Sequence, residues 1–244
     1  VTPDFRSPYA EQLAFQLQRE LKNNWALTAG WVATKGTALF QTVDGNPTVP
    51  GSSPVVRRDP TIGIRRVRAN SASSIYHSFQ TSLEKRMSSG LAMSGHYTWS
   101  AYIDTASETF NPAVNGDVAV AQDSYNWRAD RGRSTYDRPH RFTTTAIYEL
   151  PVFRSQQGVV GKILGGWQVN GFLTFQSGAP FTPLAGIDPG RRLSGIDGLV
   201  GNAVRANVNT NLDISSMTLA QLYAFNLPAA VNNSRSSLFT NVPA

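Results

Sequence analysis

The residue types that most often carry catalysis are scarce in this chain and form no recognisable catalytic pattern. None of the 244 residues is cysteine, which excludes a thiolate nucleophile, a thiolate metal site and a disulfide scaffold. The histidines His77, His96 and His140 form neither an HExxH motif nor an i, i+4 pair. No GxSxG or Walker-type loop occurs, since Gly161-Lys162 lacks the upstream glycine and the following Ser or Thr. We therefore expect no enzymatic activity, no cofactor and no metal centre.

One segment has the spacing of a calcium loop without its defining residues. Residues 207–213 place Asn, Asn, Asn and Asp at every second position. The glycine of position six is missing, and Thr218 stands where the glutamate of position twelve is required. An Asn-rich, solvated loop explains the spacing better, because Asn is a common turn residue.

Basic residues are concentrated in one segment, residues 57–68, which carries a local charge of +4 within a net charge of +6. It contains no aromatic residue, which argues against a nucleic-acid-binding surface. A second polar segment, 104–139, mixes arginine with aromatic residues, as a ligand-capturing loop does. Both segments are also compatible with solvated loops that have no specific partner. The candidate ligand contacts are Arg57, Arg58, Arg65, Arg66, Arg68, Tyr125, Trp127 and Arg128.

Apolar and polar residues alternate with period two along much of the chain, which is typical of β-strands. Segment 91–103 shows the pattern most clearly, with Tyr97 and Trp99 on one face and Ser94, His96 and Thr98 on the other. Ser88-Ser89-Gly90, just before it, predicts a tight turn with a glycine available for a positive φ. The predicted strands lie near 9–21, 25–39, 75–87, 91–103, 141–150 and 165–177.

The lengths of these strands and of their connections indicate a membrane barrel. The strands run well beyond the mode of about 5–6 residues in globular proteins and match the roughly 9–11 residues of a tilted bilayer-spanning strand. Connections 22–24, 88–90 and 151–164 are short or moderate, whereas 40–74, 104–140 and 177 onward are long. We predict an all-β, antiparallel up-and-down meander of about six strands in three hairpins, part of a transmembrane β-barrel with long extracellular loops. A soluble β-sandwich or lipocalin-like binding module remains the alternative, because it has the same period with its apolar face inward.

Composition fits this interpretation. Charged residues make up 16% of the chain, against about 25% in soluble domains, as rows of lipid-facing side chains require. No run approaches the ~18 apolar residues of a membrane helix. Trp25 and Trp167 fall at the short-turn end, and Tyr97, Trp99 and Phe175 fall towards the long-loop end; we expect all five at the membrane interfaces. Lipopolysaccharide phosphates are then the obvious anionic neighbours of segment 57–68.

Six short motifs occur in the order found in one membrane-protein family. They are Ser7-Pro8-Tyr9 through Gln18-Arg19-Glu20-Leu21, Gly30–Gly36, Ser82–Arg86, His96–Ser100, Tyr136–Phe142 running into Tyr148–Pro151, and Leu164–Gln168 with Gln176–Thr182. Over residues 7–183 the chain resembles TonB-dependent outer-membrane receptors of the Oar-like subgroup, which carry a carboxypeptidase-regulatory-like domain. Residues 1–183 are then a barrel segment, and 184–244 are a long loop or irregular region with a short helix near 216–225.

The resemblance implies a roughly twenty-two-stranded barrel in the outer membrane of a Gram-negative bacterium. Such a receptor takes up a large or scarce substrate and contacts the TonB complex through an N-terminal plug. The chain contains neither the plug nor the closing strand, so we expect it to be a segment of the C-terminal half of the barrel. Outer-membrane lipid and lipopolysaccharide are the expected neighbours. A passive porin or an adhesin-type barrel is the nearest alternative.

Overall fold

One antiparallel sheet dominates the structure, a computed structural model that describes residues 2–107, 121, 123–152 and 155–180. Its strands are β1 (Tyr9–Leu21), β2 (Trp25–Asp44), β3 (Arg66–Ser88), β4 (Leu91–Asp104), β5 (Gly132–Arg133), β6 (His140–Glu149) and β7 (Gln168–Gln176). The order is β1-β2-β3-β4-β6-β7, and the two-residue β5 pairs with the end of β4. The predicted antiparallel meander is therefore confirmed. Within the described residues the sheet is open, with β1 and β7 at its edges.

The register places most of the large apolar residues of the six long strands on one face; Ile147 and Phe172 are exceptions on the other face. Directly paired residues point to the same side of a sheet, so one row can be followed across it. An apolar row runs Leu17, Ala29, Thr81, Tyr97, Phe142, Phe175. The neighbouring row, on the opposite face, runs Gln18, Thr28, Ser82, His96, Thr143, Thr174. The sheet therefore has one apolar face and one polar face.

The apolar face has no protein cover among the described residues. Leu13 is 66% exposed and Phe15 is 62% exposed, and Leu173 and Phe175 in β7 are likewise exposed. Contiguous apolar surface on this scale marks a surface that meets something other than water.

Two strand ends hold tight turns of the expected kind. Ser89 and Gly90 join β3 to β4 with φ values of 53° and 78°. Two successive residues with positive φ angles form a turn whose twist matches that of the two strands it joins in a hairpin. Asn23 and Asn24, with φ values of 61° and 63°, do the same between β1 and β2. The tight turn predicted from Ser88-Ser89-Gly90 is confirmed.

At the other end, β2 and β3 extend further than the alternation indicates. Strand β2 continues past residue 39 to Asp44, and β3 begins at Arg66, not near residue 75. The reason is a β-bulge: the register shifts between Gly36 and Gln41, and Ala38 has a φ of 54°. A bulge interrupts period two while pairing continues. Arg66 and Arg68, predicted in a loop, consequently lie in β3.

The connection between β6 and β7 contains a short helix, α1 (Gly158–Leu164), that the alternation did not reveal. A one-turn 3-10 helix spans Trp127–Asp130 in the β4–β6 connection. No helix among the described residues has the length and hydropathy needed to cross a bilayer. The Asn-rich segment 207–213, the irregular region 184–244 and its helix near 216–225 lie outside the described residues.

Buried side chains are concentrated at the long-loop end of the sheet. There the upper parts of β2 and β3 pack against parts of the β4–β6 connection, with Val43, Ala69 and Ala121 forming a small apolar core beside Val67. Many of the other buried residues are polar, among them Gln41, Asp44, Asn46, Asp104, Ser134 and Asp137. The protein-packed interior thus lies at the long-loop end, where the ends of the strands meet the connections.

Candidate functional site

The residues predicted to contact a ligand come from two connections that fold against each other at the long-loop end. We call this assembly the loop cluster; it comprises residues 42–68 and the described residues of 121–139. Thr42 at the end of β2 accepts a hydrogen bond from the backbone N–H of Ala121 at 3.2 Å.

Asp44 holds the first connection closed. Its Oδ2 accepts a hydrogen bond from Arg57 Nη1 at 2.5 Å, and the two side chains are only 1% and 13% exposed. Its Oδ1 accepts hydrogen bonds from the backbone N–H groups of Asn46 and Arg65, at 2.9 and 3.1 Å. Because both ends of the connection bind one buried carboxylate, residues 45–65 form a closed loop.

Asn46 ties the middle of the same loop to its start. The Asn46 Nδ2 group lies 3.0–3.1 Å from the backbone oxygens of Asp59, Ile62 and Gly63. The Asn46 Oδ1 atom accepts the backbone N–H of Asp59 at 2.8 Å. Asp59 in turn accepts both the hydroxyl and the backbone N–H of Thr61, at 2.5 and 2.9 Å, and these bonds hold the pKa of the exposed Asp59 carboxyl below its usual value.

Arg58 and Tyr125, two of the predicted contact residues, meet where the two connections join. The Arg58 guanidinium lies 5.2 Å from the centre of the Tyr125 ring, within cation–π range. The Tyr125 hydroxyl donates to the backbone oxygen of Thr48 at 3.0 Å, across a sequence separation of 77 residues. The structure therefore brings together residues that the sequence places in separate segments.

The predicted arginines have different surroundings. Arg57 points inward to Asp44, so little of its charge is available to an outside ligand. The guanidinium of Arg68 donates to the hydroxyl of Thr42. Arg58, Arg65, Arg66, Trp127 and Arg128 are all in exposed positions. Among the predicted arginines, Arg58, Arg65, Arg66 and Arg128 thus carry the exposed positive charge.

The turn at 134–139 completes the edge of β4 between its two partners. Strand β4 pairs with β6 up to Trp99 and with β5 from Ile103 onward. In the gap, the Ser100 N–H donates to the Pro139 oxygen and the Tyr102 N–H donates to Asp137 Oδ1, both at 2.9 Å.

Asp137 is almost fully buried, and a cation balances its charge. Arg133 Nε lies 2.9 Å from Asp137 Oδ2, an ion pair whose angle falls short of a hydrogen bond. Arg138 folds back so that its Nη1 donates to the backbone oxygens of Thr135 and Asp137, at 2.9 and 2.7 Å. These contacts give Asp137 and Arg138, within the motif Tyr136–Phe142, a definite structural task.

Sequence reasoning missed the residues that build the cluster, namely Asp44, Asn46 and Asp137. Asp44-Gly45-Asn46-Pro47 is a dense run of turn-forming residues, which is a signal for side chains that bind their own backbone. Asp137 lies inside a motif already singled out by resemblance. Their burial could not be inferred, because it depends on segments distant in sequence.

Of the five predicted interface aromatics, Trp25, Trp167 and Phe175 lie at or next to a strand end, whereas Tyr97 and Trp99 lie within β4. Trp25 begins β2 beside the short turn, and Lys85 Nζ lies 5.4 Å from the centre of its ring. Trp99 pairs with His140, the first residue of β6, and Phe175 is next to the last residue of β7. Tyr97 stacks on His140 and bonds its Nδ1 at 2.8 Å, and Trp167 Nε1 donates to the backbone oxygen of Ile163 at 2.9 Å.

Charges bound the apolar face of the β1–β2 hairpin. Glu11, which is paired with Lys35 in an exposed 3.8 Å ion pair, and Arg19 both fall in the apolar row of β1. The eight residue steps between them span roughly 27 Å along the strand at about 3.4 Å per residue. Tyr9 aside, the large apolar side chains of β1 lie between these charges or beyond Arg19 at the turn. At the strand tilt of about 35–45° found in membrane barrels, this length corresponds to a height of roughly 20 Å, close to the apolar band of about 25 Å that such barrels present to lipid.

No group of three or more His, Asp or Glu side chains that could hold a metal ion occurs within the described part of the chain. The loop cluster offers guanidinium groups, aromatic rings and backbone polar groups on a framework fixed by buried carboxylates.

Comparison with known proteins adds the family. The family model described as "Outer membrane beta barrel domain" matches residues 1–243. No curated protein and no solved structure matches the chain at a significant level. The architecture fits this family: the antiparallel sheet has one apolar and one polar face, and the loop cluster lies at one end of it. The chain therefore belongs to the outer membrane β-barrel domain family, whose members lie in the outer membrane of Gram-negative bacteria.

Proposed function

We propose that this chain is the ligand-capturing part of a TonB-dependent receptor of the Oar-like kind, which takes up a large or scarce substrate with energy supplied through TonB. The observation that carries the proposal is the loop cluster. Two connections, joined by Tyr125 and Arg58, form a fixed surface at the long-loop end. A receptor for a scarce substrate needs such a preformed surface, because a prearranged site loses less conformational entropy on binding.

The ordered motifs support the same proposal. The stretch Tyr136–Phe142 resembles the receptor family, and in the fold its Asp137 and Pro139 join the loop cluster to the edge of β4. In the proposed receptor, this stretch would hold the loop cluster in position above the barrel wall.

The chemistry of the surface indicates the class of ligand. Exposed arginines near Tyr125 and Trp127 suit a ligand with anionic groups and flat or apolar parts. Lipopolysaccharide phosphates offer the same anionic chemistry from the surrounding membrane. We propose no enzymatic activity, no cofactor and no role in binding nucleic acid.

Conductance in planar lipid bilayers and binding to TonB together test the proposal, and neither needs the transported ligand. The full-length protein should conduct few ions, because a plug fills its lumen, and should bind the purified periplasmic domain of TonB. Steady, open conductance without TonB binding would identify a passive porin. Neither conductance nor TonB binding would favour an adhesin.

A further inference from the structure

Helix α1 has its apolar side turned outward. Val159 is 75% exposed and Ile163 is 62% exposed, and Val160 and Leu164 are exposed as well. At about 100° per residue, these four side chains fall within an arc of about 140°. Gly158, Gly161 and Lys162 occupy the rest of the helix surface.

The other side of the helix packs against the preceding loop. Gly161 is buried, and a Cβ on it would lie 3.0 Å from the carbonyl carbon of Gln156. A Cβ on Gly166 would lie 2.0 Å from Gln156 Nε2. Glycine therefore allows the loop to approach the helix closely, and this contact fixes which side of α1 faces away. A helix that packs through glycine and exposes Val and Ile has the reverse of the arrangement expected in water.

The exposed side of α1 continues the apolar face of the sheet. Trp167 extends the β6–β7 ladder, since its backbone oxygen accepts the N–H of Leu150 at 2.9 Å, and its indole N–H donates to Ile163 in α1. Trp167 lies two residues before Val169. Val169 and Leu173 are both on the apolar face of β7, so Trp167 continues that face. The apolar surface thus passes from the strand, through Trp167, onto the helix.

We infer that α1 is an interfacial helix that inserts its apolar side among the phospholipids of the inner leaflet of the outer membrane. The short-turn end, where α1 lies, also carries Trp25 with Lys85 over its ring, a pairing of ring and cation suited to the headgroup region. Lys162 is placed to meet phosphate groups while the Val and Ile side chains enter the acyl region. The inference rests on membership of the barrel family and is independent of the proposed receptor function.

Site-directed fluorescence on the full-length protein in phosphatidylethanolamine–phosphatidylglycerol vesicles tests it. This chain contains no cysteine, so Ile163→Cys introduces a single labelling site here, once any cysteine elsewhere in the protein is replaced. A bimane label at Ile163→Cys should be quenched by brominated lipid and protected from aqueous iodide about threefold or more relative to Lys162→Cys, its neighbour on the polar side. Val159→Cys, on the same arc, should behave like Ile163→Cys.

Two outcomes would overturn the inference. Equal iodide quenching at Ile163→Cys and Lys162→Cys would place the helix in water. Protection of Ile163→Cys from both iodide and brominated lipid would mean that protein covers the helix. The heat-dependent gel shift of the barrel shows whether each variant is folded. If Ile163→Cys does not fold, Val159→Cys is measured in its place.

Discussion

At the scale of single residues, the loop cluster depends on buried carboxylates more than on the exposed arginines. Asp44 accepts one side-chain and two backbone hydrogen bonds, and Asp137 accepts the N–H of Tyr102 beside the ion pair with Arg133. Each carboxylate replaces backbone pairing that an irregular segment cannot provide. The side chains of Arg58 and Arg128 are exposed and take no part in these carboxylate contacts, and we propose that they serve binding.

Replacing Asp44 should open the loop at 45–65. Asp44→Asn removes the partner of a mostly buried guanidinium, and breaking a buried ion pair costs about 3–5 kcal/mol. We expect much faster hydrogen exchange across residues 45–65 and new tryptic cleavage near Arg57, with the sheet intact. Mass spectrometry of the folded full-length protein measures both.

The matched control is Glu20→Gln, which breaks the ion pair between Glu20 and Arg86. Both of those side chains are 74% exposed, and such pairs contribute little. An Asp44→Asn protein whose loop exchanges no faster than that of Glu20→Gln would contradict the structural role of Asp44.

The Asp59 turn should keep its hydrogen bonds to a pH below the ordinary aspartate pKa. Its pKa lies below the usual value of 3.8, chiefly because the Thr61 hydroxyl donates to it and also because the Thr61 backbone N–H does. A carboxyl group whose pKa is lower in the folded than in the unfolded state stabilises the fold at any pH above its unfolded-state pKa. That stabilisation is lost as the pH falls through the folded-state pKa. The turn should therefore be unchanged from neutral pH down to the usual value and loosen only below it.

Carbon-13 NMR of the Asp59 carboxyl group measures this directly. The titration midpoint should lie below 3.8, and Thr61→Val should raise it by removing the hydroxyl while keeping the backbone donor. An unchanged midpoint in Thr61→Val would show that the hydroxyl is not the main cause.

At the scale of elements, each strand is defined by the difference between its two faces. Leu83 in β3 and Leu173 in β7 lie in one row of the apolar face, connected through Gly95 and Thr144. Thr174, the next residue in β7, pairs with Thr143 on the polar face. Substitutions at the adjacent residues Leu173 and Thr174 therefore probe opposite faces of the sheet.

Arginine at Leu173 or Leu83 should destabilise the folded barrel by about 2–4 kcal/mol if these side chains meet lipid near the middle of the bilayer. Thr174→Arg should have a much smaller effect, because it places the charge on the wet side. Denaturant titration of the full-length protein folding into vesicles measures all three variants. If neither Leu173→Arg nor Leu83→Arg is more destabilising than Thr174→Arg, the apolar face does not meet lipid.

At the scale of the whole molecule, the two ends of the sheet differ in construction. One end has the turns at 22–24 and 89–90 and the helix α1, and the other has the extended β2–β3 ribbon and the loop cluster. In barrels of this kind short turns face the periplasm and long loops face outward. The chain direction then has β1, β3 and β6 running towards the periplasm.

This orientation predicts which cysteines can be labelled on intact cells. Val49→Cys, an exposed position in the loop cluster, should react with a membrane-impermeant maleimide. Lys22→Cys, in the first short turn, should react only after the outer membrane is permeabilised. The opposite pattern would reverse the assignment of the two ends.

The amino-acid sequence by itself determined the strands and their faces, because alternation within one strand is a local property that needs no partner. It also determined the tight turn at 88–90, since the positive φ angles there are local to Ser89 and Gly90. It could not determine the full extent of β2 and β3. The bulge at Gly36–Gln41 removes the period-two signal, and pairing across it is decided by the neighbouring strand.

Only the tertiary structure decided which charged residues are buried and which are available. Arg57 and Arg58 are adjacent in sequence, yet one is paired with buried Asp44 and the other lies over Tyr125. Arg58 meets Tyr125 only because the two connections fold together, as the bond from Tyr125 to Thr48, 77 residues away in the chain, also requires. The outward side of α1 was likewise decided by the approach of Gln156 to Gly161, a contact that the helix's own sequence does not specify.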